Sequence, residues 1–435
     1  DYLSKEYGWE PVAFHGYENM QDWVDQNYPN ACLFDSLNLR KGIFNSFGKD
    51  GFQPIDQKIF ETLSPYLMNY LSWLQDSSGW DFSFNERRKY LFDILNFWNS
   101  VIIKLKPDVF FSYTWPHLPS DYPLYLLCKH IYKIKTIFID ITPHFNQERY
   151  AICCSLEDLS LPYRDTYQKG TTSNLPADIK NNLTILSSKN AKRPVHIDKH
   201  YDLLNKQNIN LNIFKSFLES LSGYCNSLSI YKSNRKPMGS DKCFPSPLKQ
   251  FTIHKKRAYK LKLIKKFYNA NCLNKIPDKK FIYFAAPFQP EAISNINQGI
   301  FENISCILDI IVKYLPDDFI VIYKEHPNTF LDTQKGCEQR SIELYKDIAD
   351  KKKVFFVKDS TSSFDLIEKC EASATVGGTV GWESLAKGKH CLVFGTIWYD
   401  ACNGIFKIKC NEDVREAFNK IKSGSQPSAE EFYKY

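Results

Sequence analysis

The stretches FIYFAAPFQPEA (281–292) and FIVIYKEHPNTF (319–330) each open with an apolar run and close on a polar turn. A short β-branched and aromatic run that stops abruptly at Pro, Glu or His reads as a buried strand ending at a sheet edge. The pattern recurs in VFFVKDSTSS (354–363), ASATVGGTVGWE (372–383) and CLVFGTIWY (391–399). Strands are therefore read over 281–286, 319–324, 354–357, 372–376 and 391–394, with amphipathic stretches between them. Alternating strand and helix predicts a parallel sheet, and ligands of open parallel sheets bind outside the carboxyl ends of the strands. All the polar turns fall at that one edge. A phosphorylated ligand is expected there.

The front of the chain repeats this grammar. Residues 10–16 and 31–35 read as short strands, and 85–106 as a long helix whose apolar surface includes Tyr90, Phe97 and Trp98. Pro107 stops that helix; a strand over 108–113, a helix over 121–132 and a strand over 136–141 follow. From 151 to about 274 Ser, Asn, Lys and Pro become common, which predicts loops and several helices, one near 213–221. The expected fold class is α/β. The expected domains are an N-terminal acceptor or catalytic domain (1–150), a helical and loop connector (151–275), a C-terminal nucleotide-sugar-binding domain (276–420) and a tail (421–435).

Composition narrows the function classes. At 43% hydrophobic and 15% aromatic residues, the chain of 435 residues has the makings of large cores rather than disorder. It lacks an apolar run of about 18 residues, so a membrane span is not expected. The chain opens Asp1-Tyr2-Leu3 without Met, which reads as a chain entered partway, with part of a front domain missing. Thirteen scattered cysteines with no C-x-x-C pair argue for small buried residues in a reducing, cytoplasmic setting. The net charge of +7 is concentrated between Lys232 and Lys280, where Tyr259, Leu261, Ile264 and Phe267 interleave with lysines. A basic amphipathic helix there would suit an anionic membrane surface or an acidic glycan; a solvated connector face is the plainer reading. No nucleic-acid-binding motif accompanies the charge, so nucleic acid is not an expected partner.

The turns carry the chemistry. Gly377-Gly378-Thr379 follows a strand and opens a helix, so glycine backbone and helix N–H groups could approach an anion. Close helix packing is the alternative. Glu383 lies one helical turn further in, placed to accept from a ribose diol. In Lys324-Glu325-His326-Pro327, His326 could donate to a phosphate while Pro327 fixes the chain. Lys324 is expected to pair either with Glu325 or with a donor carboxylate. Ser362 and Ser363 sit in a hydroxyl-rich turn that serves as a helix cap, a monophosphate site, or both. Glu291 after Gln289-Pro290 could contact sugar or base, or simply cap a loop. In the front half His117 and Asp121 follow one strand, and His144, Asn146 and Glu148 follow the next, which supplies material for acid–base or nucleophilic work. For Asp121 a helix N-cap is the plainer role. No D-x-D sequence, the usual metal clamp for a nucleotide diphosphate, is present, and G-x-S-x-G is absent too.

The ordered set Q-P-E (289–291), K-E-H-P (324–327), D-S-T-S-S (359–363), G-G-T-V-G-W-E (377–383) and F-G-T-I-W-Y (394–399) resembles the capsule polysaccharide synthesis family, which includes bacterial β-Kdo transferases using CMP-Kdo. The resemblance covers about 281–408 well, and the front only through P-H-x-x-x-D (116–121) and the 146–148 region. It implies a GT-B-like fold, two Rossmann-like domains facing across a cleft with a helical connector. It also implies a CMP-activated acidic sugar, a role in capsule, lipopolysaccharide or O-antigen-type surface glycans, and His326 with the hydroxyl turn holding the CMP phosphate. Retention of configuration, known in the family, would suit a carboxylate nucleophile, with Asp121 as candidate and Glu148 or His117 as proton-transfer partner.

The resulting expectation is a metal-independent, cofactor-free glycosyltransferase in the cytoplasm, with possible peripheral contact at the inner membrane face. It would move Kdo or a related sugar from a CMP-sugar donor to a glycan or glycolipid acceptor. Donor contacts are expected from Glu291, Lys324, His326, Pro327, Ser362, Ser363, Gly378, Thr379 and Glu383. The alternatives are a UDP-sugar epimerase of GT-B shape and a non-catalytic glycan-binding subunit of a capsule assembly or export complex.

Overall fold

The computed structural model describes residues 2–40, 42–44, 52–78, 83–144, 147–164, 177–188, 247–296, 298–331 and 336–428. The chain divides into two compact units, Asp1–Phe138 with Asn212–Ile253, and Ile139–Leu211 with His254–Tyr435.

In the first unit β1 (Ala13–Gly16) pairs in parallel with β2 (Cys32–Asp35), and β3 (Val109–Ser112) pairs in parallel with the start of β4 (Lys135–His144). The sequence expectation of a strand from residue 10 is too long, since the ladder begins at Ala13, after Pro11, which has no N–H to give. The long helix runs Phe84–Leu105. Ser83 and Glu86 form a capping box at its start, and Lys106 ends it in the left-handed region (φ 48°) just before Pro107. A second long helix, Gln57–Ser78, was not legible in the sequence. The helix expected over 121–132 is shorter in α form, Tyr122–Leu126, and passes into a π turn over Leu127–Ile131. Glu148 lies in β5 (Gln147–Cys153), a strand of the second unit, rather than in the strand-end turn expected for it.

The second unit is built on a six-stranded sheet: β6 (Lys280–Ala285), β7 (Phe319–Lys324), β8 (Val354–Val357), β9 (Ala372–Thr375), β10 (His390–Val393) and β11 (Ile405–Lys407). All pairings are parallel and the order is β11-β10-β9-β6-β7-β8. The sheet is covered on both faces. Ile282, Phe284, Val321 and Tyr323 pack into one core with the helices Ile304–Tyr314 and Asn411–Lys422. Phe281, Tyr283, Ile320 and Ile322 pack on the opposite side against Leu366 and Ile367 of the helix Ser363–Lys369. This two-sided burial explains why β7 reads FIVIYK with every residue buried instead of alternating with polar ones. The unit is therefore Rossmann-like α/β. The helix expected near 213–221 lies outside the described residues.

Candidate functional site

Strand order sets the site. The sequence starts at β6 and builds outward through β7 and β8, then returns to the other side of β6 with β9, β10 and β11. The reversal between β6 and β9 is a topological switch point, where loops leaving adjacent strands diverge and open a crevice. The turn after β6 carries Gln289-Pro290-Glu291, with a cis peptide bond at Gln289–Pro290, and the turn after β9 carries Gly377-Gly378-Thr379.

Two of the turns are joined by a residue that the sequence did not single out. Arg340 is fully enclosed, and its guanidinium donates to both carboxylate oxygens of Glu325 (2.8 and 3.2 Å). It also donates to Gln289 Oε1 (2.7 Å) and to the Pro287 carbonyl (2.9 Å). Glu325 further accepts from the Tyr323 and Tyr345 hydroxyls (2.9 and 2.8 Å), from Thr329 Oγ1 (3.1 Å) and from the His326 N–H (2.8 Å). Burial alone would raise the Glu325 carboxyl; the Arg340 charge and these donors hold it below the ordinary carboxylate range. Such a pair is tolerated in the interior because its lone pairs and protons are almost all used. Of the partners expected for Lys324, Glu325 or a donor carboxylate, the structure gives Glu325 to Arg340 instead. Lys324, itself buried, reaches Ser363 Oγ (3.2 Å), which the Tyr283 hydroxyl also contacts at 3.2 Å.

His326 stands just outside this hub. Its Nδ1 accepts from the Asn328 N–H (3.2 Å), which puts the ring proton on Nε2, and Phe288 lies against the ring at 5.5 Å between centroids. Pro327 is the first residue of the 3-10 turn Pro327–Phe330 that His326 caps. Ser362 caps the next helix by accepting from the Asp365 N–H (3.3 Å). Glu291 is exposed, yet enough protein surrounds its carboxyl to push it up to about 7.

The glycine turn is more self-contained than its sequence suggests. The Gly378 N–H donates to Thr375 Oγ1 (3.2 Å), and the Gly378 carbonyl accepts from the Tyr399 hydroxyl. Thr379 Oγ1 donates to Glu383 Oε1 (3.0 Å), so that carboxylate oxygen is already engaged at the helix start. Gly381 is required by packing, because a Cβ there would come within 2.5 Å of the Tyr399 hydroxyl. For that glycine the close-packing alternative is the one observed.

In the first unit Asp121 is buried at the start of the helix Tyr122–Leu126. Its carboxylate does not cap that helix but turns back to accept from the Leu118 N–H (2.7 Å). Burial pushes its pKa up to about 7 against the opposing effect of the nearby backbone N–H groups. His117 is half-buried, with Nδ1 at 2.8 Å from the Trp115 carbonyl. The side chains of His144 and Glu148 and the whole of Asn146 lie outside the described residues. Among the described residues, no three His, Cys, Asp or Glu side chains gather as a metal site. No helix among them is long and apolar enough to cross a membrane.

Comparison with known proteins places these turns in context. No curated protein sequence matches the chain. Among solved structures, a β-Kdo 2,7 transferase (KpsC) of Thermosulfurimonas dismutans aligns with 17% identity and a TM-score of 0.23, over 38% of this chain and 56% of that one. This chain thus spans little more than half of that transferase's length. The UDP-GlcNAc 2-epimerase of Methanocaldococcus jannaschii aligns over 80% of both chains with 14% identity and a TM-score of 0.29. The sequence profile of the capsule polysaccharide biosynthesis protein family matches residues 170–415. That span takes in every turn of the six-stranded sheet and leaves out His117, Asp121 and Glu148. It covers more than half of the sequence, and the chain belongs to the capsule polysaccharide biosynthesis family.

Proposed function

We propose that the chain is a glycosyltransferase that moves Kdo or a related acidic sugar from a CMP-sugar to a surface-polysaccharide or glycolipid acceptor on the cytoplasmic side of the membrane. The observation that carries this reading is the pair of turns fixed by Arg340 at one edge of a parallel sheet, in a chain of this family. His326 offers an Nε2–H to a single phosphate, with Lys324 and Ser363 as the neighbouring cation and hydroxyl. A monophosphate leaving group needs less neutralisation than a diphosphate, so protein donors suffice and no metal is assigned. Glu291, Ser362, Gly378, Thr379 and Glu383 complete the donor side; the contacts already made by Gly378 and Glu383 limit them to shaping the turn or accepting from the ribose.

Asp121 is the candidate reacting carboxylate. Its attack on the anomeric carbon would release CMP, and the acceptor hydroxyl would then displace the carboxylate and give retention. Glu148 or His117 would take the acceptor proton. Because the Asp121 pKa lies at about 7, a nucleophilic role makes transfer rise as pH passes upward through that value. A proton-donor role makes it fall.

The test is calorimetric titration with CMP in the presence of a chelator, with UDP and GDP alongside. Selective binding of CMP is expected, and His326→Ala should weaken it by about 1–3 kcal/mol. Heat from UDP alone would shift the assignment to an epimerase, and silence with all three nucleotides to a non-catalytic glycan-binding subunit.

A further inference from the structure

The helix Pro247–Ala270 has 24 residues and carries eight lysines and arginines with no Asp or Glu. Its two sides differ sharply. Arg257, Leu261, Ile264 and Tyr268 form one stripe at helical spacing and are buried. Arg257 pairs with Glu338, and the Tyr268 hydroxyl donates to the Val357 carbonyl (2.6 Å). Two residues out of phase, and so on the opposite side, Lys255, Tyr259, Lys262 and Lys266 form a second stripe that is exposed, flanked by exposed Lys256 and Leu263. Tyr259 is 65% exposed. The inner stripe accounts for how the helix is held. Nothing in that packing calls for outward Lys256, Lys262 and Lys266 around an outward tyrosine and leucine.

We propose that this outer stripe is a docking surface for an anionic phospholipid bilayer. Charge complementarity carries the assignment: a row of cations over the roughly 17 Å between Lys255 and Lys266, without an intervening carboxylate on the helix, matches a continuous negative surface. Tyr259 and Leu263 are placed to enter the headgroup layer, where amphipathic side chains gain most. A sugar chain is held best in a cleft by several planar hydrogen-bonding groups, whereas this helix face offers ammonium groups and a single phenol. Docking would bring the chain to a lipid-linked acceptor, but it requires neither nucleotide nor sugar. Its failure and that of the donor assignment are therefore separable.

The test is co-sedimentation of the purified chain with phosphatidylcholine vesicles, with and without phosphatidylglycerol. Binding to the anionic vesicles alone is expected, and it should be lost as ionic strength rises from about 0.1 M to about 1 M, where the screening length shrinks from roughly 10 to 3 Å. The triple variant Lys256→Glu, Lys262→Glu, Lys266→Glu should bind roughly a hundredfold more weakly or worse. Because all three side chains are exposed, its circular dichroism should be unchanged. The double variant Tyr259→Ala, Leu263→Ala should keep the salt dependence while weakening binding severalfold. Equal binding to neutral vesicles, no binding at all, or an unaffected triple variant would overturn the proposal. So would capture by an immobilised acidic polysaccharide with none by vesicles.

Discussion

The Glu325–Arg340 pair at the carboxyl-end turns of the six-stranded sheet and three buried polar atoms of the first unit treat buried polarity in opposite ways. In the sheet, Glu325 and Arg340 are wholly enclosed, yet Gln289, Thr329, Tyr323, Tyr345 and a backbone carbonyl meet them. In the first unit, His15 Nε2, Ser36 Oγ and Ser120 Oγ are buried and find no partner among the described residues. Burial pushes His15 down to about 4 despite nearby Asp35, and pushes Asp121 up to about 7. Trp98 touches two of these residues: its ring lies 5.7 Å from that of His15, and its indole N–H donates to the Ser120 backbone carbonyl (2.6 Å). A satisfied network fixes geometry, whereas unsatisfied groups hold free energy in reserve. Functional sites are where that reserve is tolerated.

The contrast predicts stability effects of opposite sign. The largest belongs to Arg340→Leu, which leaves the Glu325 carboxylate buried and unpaired and should cost about 3–5 kcal/mol in urea unfolding. Arg340→Lys keeps the charge but not the fork that spans Glu325 and Gln289, so it should recover only part of that loss. If Arg340→Leu unfolds no more readily than the parent chain, the joined turns are not a unit and the comparison breaks.

Asp121→Asn should act the other way. An unfolded Asp releases its proton near 3.8, whereas the folded chain keeps it to about 7. The folded state therefore loses stability relative to the unfolded one as pH rises through that window, and the loss is complete above it. Asn cannot ionise, so the variant should match the parent near pH 4 and be about 1–3 kcal/mol more stable near pH 8. A cost at pH 8 would show that the bond from the Leu118 N–H outweighs the burial of the charge. The smallest effect is expected for Ser120→Ala, which removes a hydroxyl that makes no bond among the described residues. Unfolding should change by less than about 1 kcal/mol, toward greater stability. A larger loss would reveal a partner and narrow the difference between the two regions.

The strands at 281–286, 319–324 and 354–357 were legible because each is a local property: a β-branched or aromatic run and a polar stop. The His326 turn was legible for the same reason, since Pro327 and the strand end lie beside it in the chain. Arg340 was not. Its partners lie 15 residues away at Glu325 and 51 residues away at Gln289, and nothing near 340 in the sequence marks an arginine that will be enclosed. Glu383 was read as open to a ligand because the sequence does not say whether Thr379, four residues earlier, will turn its hydroxyl inward.

By itself the sequence determined the alternation of strand and helix, the placement of polar turns at one sheet edge and the family, because hydrophobic periodicity and turn chemistry act over a few residues. Only the tertiary structure decided that β9 returns beside β6 to make the switch point, that one guanidinium joins two turns, and that Asp121 is buried deeply enough to hold its proton near neutrality. Those facts depend on which distant residues become neighbours, and on how much water their meeting excludes.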